Sequence, residues 1–263
     1  MLTARSVLPG RAPHRRFREN HGADRLMPYR LAIFDFDGTL ADTFPWFMRV
    51  VNTVADRFRF KRIEEHEVEH LRGCSAREIV KHLEVPPWKL PFIARHMRAL
   101  AAEDVGLIQL FDGVAPMLRR LSEDGVQLAI VSSNDEGNVR RALGSELALL
   151  IRHYECGASI FGKAAKFRRV LRKSNVLPGE TICIGDEIRD HEAATAAGLA
   201  FGAVAWGFTR GEVLRARKPA AMFENPLEIT AALLAPHREE LRADDPQAST
   251  ASTQAGTISP AGP

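Results

Sequence analysis

Cysteine is scarce: the 263 residues contain three, Cys74, Cys156 and Cys183, odd in number and far apart. Such a set excludes a disulfide framework and suits a reducing compartment, so a cytoplasmic location is expected. No run approaches the roughly 18 uninterrupted apolar residues that a membrane helix needs, and no apolar block of a secretory signal stands at the N-terminus. Membrane association is therefore not expected. The arginine-rich start contains Glu19 and Asp24 and little serine, which argues against an organelle transit peptide. Excess charge is also nearly lacking, at +3 overall. Residues 1–30 hold seven arginines against those two acids, a net of +5, which leaves −2 for residues 31–263. The basic character thus belongs to an extension, and no nucleic-acid partner is expected for the folded part.

What is present is ordinary globular material, 45% hydrophobic and 26% charged, enough for one large domain or a domain with an insertion. Residues 1–26 read as a disordered basic extension, with Met27, just before the first strand, as the alternative start. From Ala41 to about Leu110 the pattern is helical without a strong strand signal. Asp42 or Thr43 can cap a helix with Pro45 in its first turn and the stripe Phe47, Val50, Val51, Val54, Phe58. Further helices are expected over Glu64–Leu71, Ser75–Leu83 with Ser75 as N-cap, and Trp88 to about Glu103.

Beyond that insertion, helices and apolar strands alternate. Helices are expected over Gly113–Ser122, Glu136–Leu143, Ala164–Lys173 and up to Ala197, and strands over Leu128–Ser133, Tyr154–Ala158, Thr181–Asp186 and Phe201–Trp206. Continuous apolar strands between helices imply a parallel sheet covered on both faces. The fold class is therefore α/β, a doubly wound parallel sheet from residues 27–43 and 111–235, with an inserted all-helical cap over 44–110. Asn225-Pro226 caps a last helix to Leu234, and residues 236–263, rich in Ala, Ser, Thr, Gln, Gly and Pro, read as a disordered tail.

The chemistry gathers at strand ends, where such sheets bind ligands. The first apolar strand runs into Asp35-Phe-Asp37-Gly38-Thr39, and strand alternation sets the two carboxylates on one side, where they repel and require a compensating charge. Ser132 and Ser133 close the next strand, Gly185-Asp186 with Asp190 closes another, and Lys163 and Lys166 precede it. Four carboxylates in one crevice call for a hard cation such as Mg²⁺, which leaves a lysine and a hydroxyl to bind an anion. A metal, an ammonium and a hydroxyl around a carboxylate nucleophile suit phosphoryl transfer.

In this order and spacing, Asp35-x-Asp37-Gly-Thr39, Ser132, Lys163 and Gly185-Asp186-x-x-x-Asp190 resemble the four motifs of the haloacid dehalogenase superfamily. The insertion resembles the helical cap of its phosphoglycolate-phosphatase-like members, and the resemblance as a whole covers about Tyr29–Leu234. The resemblance implies that Asp35 attacks phosphorus and that Asp37 protonates the leaving alcohol and then activates water. Asp35, the backbone carbonyl of Asp37, Asp186 and Asp190 would serve the metal, Mg²⁺. Ser132 and Lys163, or alternatively Lys166, would hold the phosphoryl oxygens. Arg72 and Arg77 resemble the cap loop that contacts substrate in relatives. The substrate class implied is a small phosphorylated metabolite; oligomeric state is not legible.

Rival readings remain. A sugar phosphomutase of the same family would carry a histidine ten residues after the second aspartate, where this chain has Phe47. A binding protein that keeps the fold without turnover is a second alternative. His66-Glu67-Val68-Glu69-His70 matches a zinc-binding H-E-x-x-H pattern, but it sits in a charged run without an obvious third ligand, and a solvated cap helix is the preferred reading. Ser133 and Asn134 read as loop residues, with Asn134 as the cap of the following helix. Phe44, Trp46 and Phe47 read as helix core or hinge rather than substrate contacts.

Overall fold

The computed structural model describes residues 29–157 and 162–235. The expectations for the extension, the Met27 start, Ala158 and the tail lie outside those residues.

The elements run β1 (Leu31–Phe34), β2 (Ala41–Asp42), α1 (Phe44–Phe58), α2 (Val68–Leu71), α3 (Ala76–His82), α4 (Leu90–Glu103), β3 (Gln109–Leu110), α5 (Val114–Glu123) and β4 (Gln127–Val131). There follow α6 (Glu136–Leu150), β5 (Ile151–Glu155), α7 (Lys163–Ser174), β6 (Thr181–Gly185), α8 (Ile188–Ala197), β7 (Ala200–Val204), α9 (Gly211–Arg215), β8 (Ala221–Phe223) and α10 (Pro226–Leu234). Six strands form one parallel sheet in the order β5-β4-β1-β6-β7-β8. β1 is central: Ile33 stands between Ala129 of β4 and Cys183 of β6. After β1 the chain builds β4 and β5 on one side and then returns to build β6, β7 and β8 on the other. The carboxyl ends of β1, β4 and β6 therefore surround the switch point, where open α/β sheets bind ligands.

Alternation along the strands feeds two cores. Ala32, Phe34, Leu128, Ile130, Ile182 and Ile184 face one layer with residues of α5, α6 and α10, while Leu31, Ile33, Ala129, Val131 and Cys183 face the other with residues of α7 and α8. The sheet is thus doubly wound, as its apolar strands require. A third cluster, Val51, Ile63, Leu71, Leu83 and Val85, lies wholly among the inserted helices.

Several local expectations need correction. Ala41–Asp42 and Gln109–Leu110, at the two ends of the helical stretch, pair as an antiparallel ribbon; two-residue strands are too short to leave a periodic signal. The helix expected over Glu64–Leu71 is a 3₁₀ turn, Glu65–Glu67, followed by α2. Ser75 caps α3 as expected, its hydroxyl accepting from the Glu78 N–H. The helix expected to end at Leu143 does break there, at Gly144 with φ +75° and ψ 164°, but a second helical segment then runs on to Leu150, so the edge strand comes earlier, at Ile151–Glu155. β8, at the sheet's other edge, and α9 had no counterpart in the pattern. Among the described residues, no helix is long and apolar enough to cross a membrane.

Candidate active site

Asp35 follows directly on β1, and its N–H donates to Ile184 O of β6 at 2.9 Å, so the sheet itself fixes this aspartate. Its side chain is buried. Oδ1 accepts from the Phe36 N–H at 2.7 Å. Oδ2 lies 2.5 Å from Lys163 Nζ, an ion pair outside hydrogen-bonding angles that leaves this buried oxygen without a hydrogen bond. Burial pushes the Asp35 carboxyl up to about 7 against the lowering pull of the Lys163 ammonium. Burial acts on Lys163 in the opposite sense, yet Asp190 and Asp35 hold its pKa above the usual lysine value. Lys163 also pairs with Asp190.

The two lysines left open by the sequence are thereby separated. Lys163 is the one against Asp35, whereas Lys166 donates to the backbone carbonyls of Ser132 and Gly157, both at 2.7 Å. Lys166 fixes the loop ends behind the site.

Asp186 and Asp190 flank the turn from β6 into α8. Thr39 Oγ1 donates to Asp186 Oδ1 at 2.7 Å, and the Phe208 N–H donates to Oδ2 at 2.8 Å. Two glycines make room for this carboxylate: a Cβ on Gly207 would stand 2.2 Å from the Asp186 Cβ, and one on Gly38, where φ is +77°, 2.3 Å from its Oδ2. Burial raises the Asp186 pKa well above the usual carboxylate range, and the neighbouring Glu187, Asp35 and Asp190 add to the rise. Asp190 accepts from the Glu187 N–H at 3.1 Å.

Asp35, Asp186 and Asp190 each place a carboxylate oxygen within 4.8 Å of the others. All three are buried, and Lys163, the one ammonium paired with the group among the described residues, does not balance three carboxylates. An all-oxygen donor set of this kind fits a hard divalent cation. Asp37 stands apart from that trio. Its carboxylate accepts from Asn134 Nδ2 at 3.3 and 3.4 Å and from Ser132 Oγ at 3.4 Å, and burial raises its pKa despite the Asn134 bond.

Asn134 is the correction of most consequence. It does not cap α6: Asp135 does, accepting from the Gly137 N–H at 2.9 Å. Asn134 instead turns inward, with its Oδ1 accepting from the Asp135 N–H and from Asn138 Nδ2. Ser132 is fully buried, its hydroxyl accepting from the Asn134 N–H at 3.0 Å while donating to Asp37.

A cavity of about 620 Å³ opens between these strand ends and the inserted helices. Asp37, Asn134, Glu187 and Arg189 line its sheet side, and Phe44, Phe47, Ile79 and Met97 line the other. Phe44 and Phe47 both meet Phe208 edge-on, with centroids 5.2 and 5.7 Å away, and both wall the cavity, as does Trp46; Trp46 is also in the core and Phe47 packs against it, as expected. Arg72 also lines the cavity, but its guanidinium donates to the carbonyls of Phe208 and Gly207, both at 3.1 Å, and to Glu69. It ties the inserted helices to the loop that holds Asp186. Arg77 is exposed on α3 and is not among the lining residues. Within the H-E-x-x-H stretch, Glu67 is held by Lys61 at 2.6 Å and His82 at 2.9 Å, a surface ion cluster that commits the would-be base.

The family model for haloacid dehalogenase-like hydrolases matches residues 32–204, a span that contains Asp35, Asp37, Ser132, Lys163, Asp186 and Asp190. The chain belongs to the haloacid dehalogenase-like hydrolases. It is similar to the phosphoglycolate phosphatase of Synechococcus elongatus, 32% identical over 202 residues, or 76% of this chain and 95% of that protein. Tyrosine-protein kinase PtkA of Mycobacterium tuberculosis is 27% identical over 194 residues, 70% of this chain and 65% of that one. Among solved structures, CbbY from Rhodobacter sphaeroides, in complex with phosphate, has a TM-score of 0.61 at 23% identity, over 78% of this chain and 99% of that one. At that identity the shared property is the fold.

In this hydrolase the residues missed from sequence are Asn134, Glu187 and Arg189. The Arg189 guanidinium pairs with Glu187, lines the cavity and keeps a buried Nε without a partner among the described residues. Both Glu187 and Arg189 fall between the motif aspartates Asp186 and Asp190, and Asn134 falls two residues after Ser132; proximity to a strand end was the available signal.

Proposed function

We propose that this hydrolase is a Mg²⁺-dependent phosphatase that cleaves a small phosphorylated metabolite, a phosphoglycolate-like phosphomonoester, through an aspartyl phosphate on Asp35. One observation carries the reading: the buried Asp35 oxygen without a hydrogen bond stands beside Lys163, two residues from a carboxyl group whose pKa is raised. The first group is placed to attack and the second to hold a proton for delivery. The residue types suit phosphoryl transfer, in which the protein mainly positions groups and neutralises charge.

In the first step an Asp35 oxygen forms a bond to phosphorus as the bond to the leaving oxygen breaks, and Asp37 gives its proton to that oxygen. In the second, Asp37 takes a proton from water as the water oxygen bonds to phosphorus, and the bond to Asp35 breaks to release phosphate. Asn134 and Ser132 hold the Asp37 carboxyl for both transfers. Lys163 and Arg189 offset the charge of the phosphoryl oxygens, and the buried Ser132 hydroxyl serves through Asp37 or by turning to the phosphate. Asp35, Asp186, Asp190 and the Asp37 carbonyl would hold Mg²⁺, which would supply further neutralisation of the phosphoryl group. Three free cysteines, Cys74, Cys156 and Cys183, suit a cytoplasmic enzyme.

The test is release of inorganic phosphate from 2-phosphoglycolate by the purified protein, with Mg²⁺ and with chelator, beside Asp35→Asn. Activity that needs Mg²⁺ and vanishes in the variant is expected. Hydrolysis that persists in Asp35→Asn would overturn the nucleophile assignment.

A further inference from the structure

Asn138, in the first turn of α6, joins the inserted helices to the sheet side of the site. It is 3% exposed and is not among the residues that line the cavity. Its Nδ2 donates to the carbonyl of Arg98 on α4 at 3.0 Å and to Asn134 Oδ1 at 3.2 Å, while its own Oδ1 accepts from Arg141 Nη2 at 2.7 Å. Both N–H groups are thus committed, one to the inserted helices and the other to the loop after β4. An amide is planar and its two N–H directions are fixed relative to each other, so the acceptor on α4 helps to aim the second N–H at Asn134.

Asn134 is in turn oriented by what it accepts. Its Oδ1 takes the Asp135 N–H at 2.8 Å as well as that of Asn138, which leaves the Nδ2 end to face the Asp37 carboxyl at 3.3 and 3.4 Å. Turned over, the amide would set its carbonyl oxygen against that carboxyl and its N–H groups against two other donors. α4 also supplies Ile93, Ala94, Met97 and Ala101 to the cavity wall, so whatever fills the cavity rests on the helix that Asn138 holds.

We infer that Asn138 is a positioning residue that couples the seating of α4 to the orientation of the Asp37 carboxyl, so that the proton reaches the leaving oxygen when the inserted helices are in place. This rests on the phosphatase reading above and adds a residue outside the cavity. Members of a buried hydrogen-bond network depend on one another. Without the Asn138 amide, α4 loses its bond to α6 and Asn134 keeps one of the two donors that fix it. The effect falls on proton transfer rather than on the attack by Asp35, whose N–H is held by Ile184 O and whose Oδ1 is held by the Phe36 N–H.

The experiment compares kcat/KM for 2-phosphoglycolate and p-nitrophenyl phosphate, with Mg²⁺, in the wild type, Asn138→Ala, Asn138→Leu, Asn134→Ala and the double variant Asn134→Ala with Asn138→Ala. Glycolate leaves as an alkoxide that needs the Asp37 proton, whereas p-nitrophenolate leaves without one. In Asn138→Ala and in Asn138→Leu, which keeps the side-chain volume, kcat/KM for 2-phosphoglycolate should fall about 10- to 100-fold and that for p-nitrophenyl phosphate by no more than about 3-fold, the pattern of a general acid displaced but present. In the Asn134→Ala background the further change Asn138→Ala should cost almost nothing, because its route to Asp37 is already cut. Equal losses on both substrates in the two Asn138 variants, or an undiminished loss in the Asn134→Ala background, would overturn the inference and leave Asn138 a packing residue. No hydrolysis of either substrate by the wild type would overturn the phosphatase reading instead. Hydrogen exchange then decides the tie to α4 without turnover: the α4 amides near Arg98 should exchange faster in Asn138→Ala, and unchanged exchange would refute it.

Discussion

Lys163→Met probes the electrostatic core of the site. The ammonium is 3% exposed and touches two carboxylates, Asp35 at 2.5 Å and Asp190. Removing one partner of a buried pair typically costs about 3–5 kcal/mol, because the other charge is left uncompensated. Here the cost should depend on pH, and its sign follows from Asp35. With Lys163 present, burial already holds the Asp35 pKa at about 7, above its ordinary value. The folded state therefore keeps a proton that the unfolded state releases, and in chelator this group's contribution makes stability fall as pH rises from about 4 to about 7. Below 7 Asp35 is neutral and gains little from Lys163; above 7 the pair is charged and the contact matters. Without the ammonium the Asp35 pKa rises further, so the variant goes on losing stability above pH 7 where the wild type levels off. The gap should widen by about 1.4 kcal/mol per pH unit, or about 2.7 kcal/mol between pH 7 and 9, with the remainder coming from the lost contact to Asp190. For a folded region of this size, a total of about 3–5 kcal/mol lowers Tm by about 6–20 °C. Thermal unfolding of both proteins in chelator, at unit steps from pH 6 to 9, measures it. A Tm difference that is the same at pH 6 and pH 9 would refute the reasoning.

Other expectations follow from single contacts. Gly207→Ala forces a methyl to within 2.2 Å of the Asp186 Cβ; overpacking of this kind costs about 1–3 kcal/mol. The variant should also lose most of the Tm increase that millimolar Mg²⁺ gives the wild type by binding linkage, and an unchanged increase would count against Asp186 as a metal ligand. Arg72→Met should raise KM and accelerate proteolysis of the 206–210 loop, since it removes both bonds from the inserted helices to the carbonyls of Gly207 and Phe208; limited proteolysis reads the second effect directly. Lys166→Met should cost stability without the pH-dependent gap expected for Lys163→Met, because Lys166 meets carbonyls and not the Asp35 carboxylate; pH-resolved melting of the two variants distinguishes them.

The central strands were legible because their signal is local. β1, β4, β6 and β7 are apolar runs, the first three ending in polar residues, and a strand buried on both faces can have little else. The edges were not. β5 begins within an apolar stretch that continues α6, with Gly144 as the break, and β8 has three residues; neither leaves a period to read. The ribbon of β2 and β3 joins residues 41–42 to 109–110, and nothing in either dipeptide announces the other.

The site divides in the same way. Asp35, Asp37, Asp186 and Asp190 could be expected together because each lies at or just beyond a strand end, and one sheet brings its strand ends together. Side-chain direction is a different matter, since it depends on neighbours distant in sequence. Asn134 has the local credentials of a helix cap, yet Asp135 takes that place and Asn134 turns to Asp37. Arg72 sits in the loop expected to meet substrate, yet carbonyls 135 and 136 residues away hold its guanidinium. Lys163 and Lys166 lie three residues apart near one helix start, and only packing sends one to the carboxylates and the other to backbone. The sequence by itself determined the central strands and the acids at their ends, because burial on both faces follows from local pattern. Which lysine, which amide and which arginine complete that set was decided by the tertiary structure alone, because each is chosen by a partner that only the fold brings near.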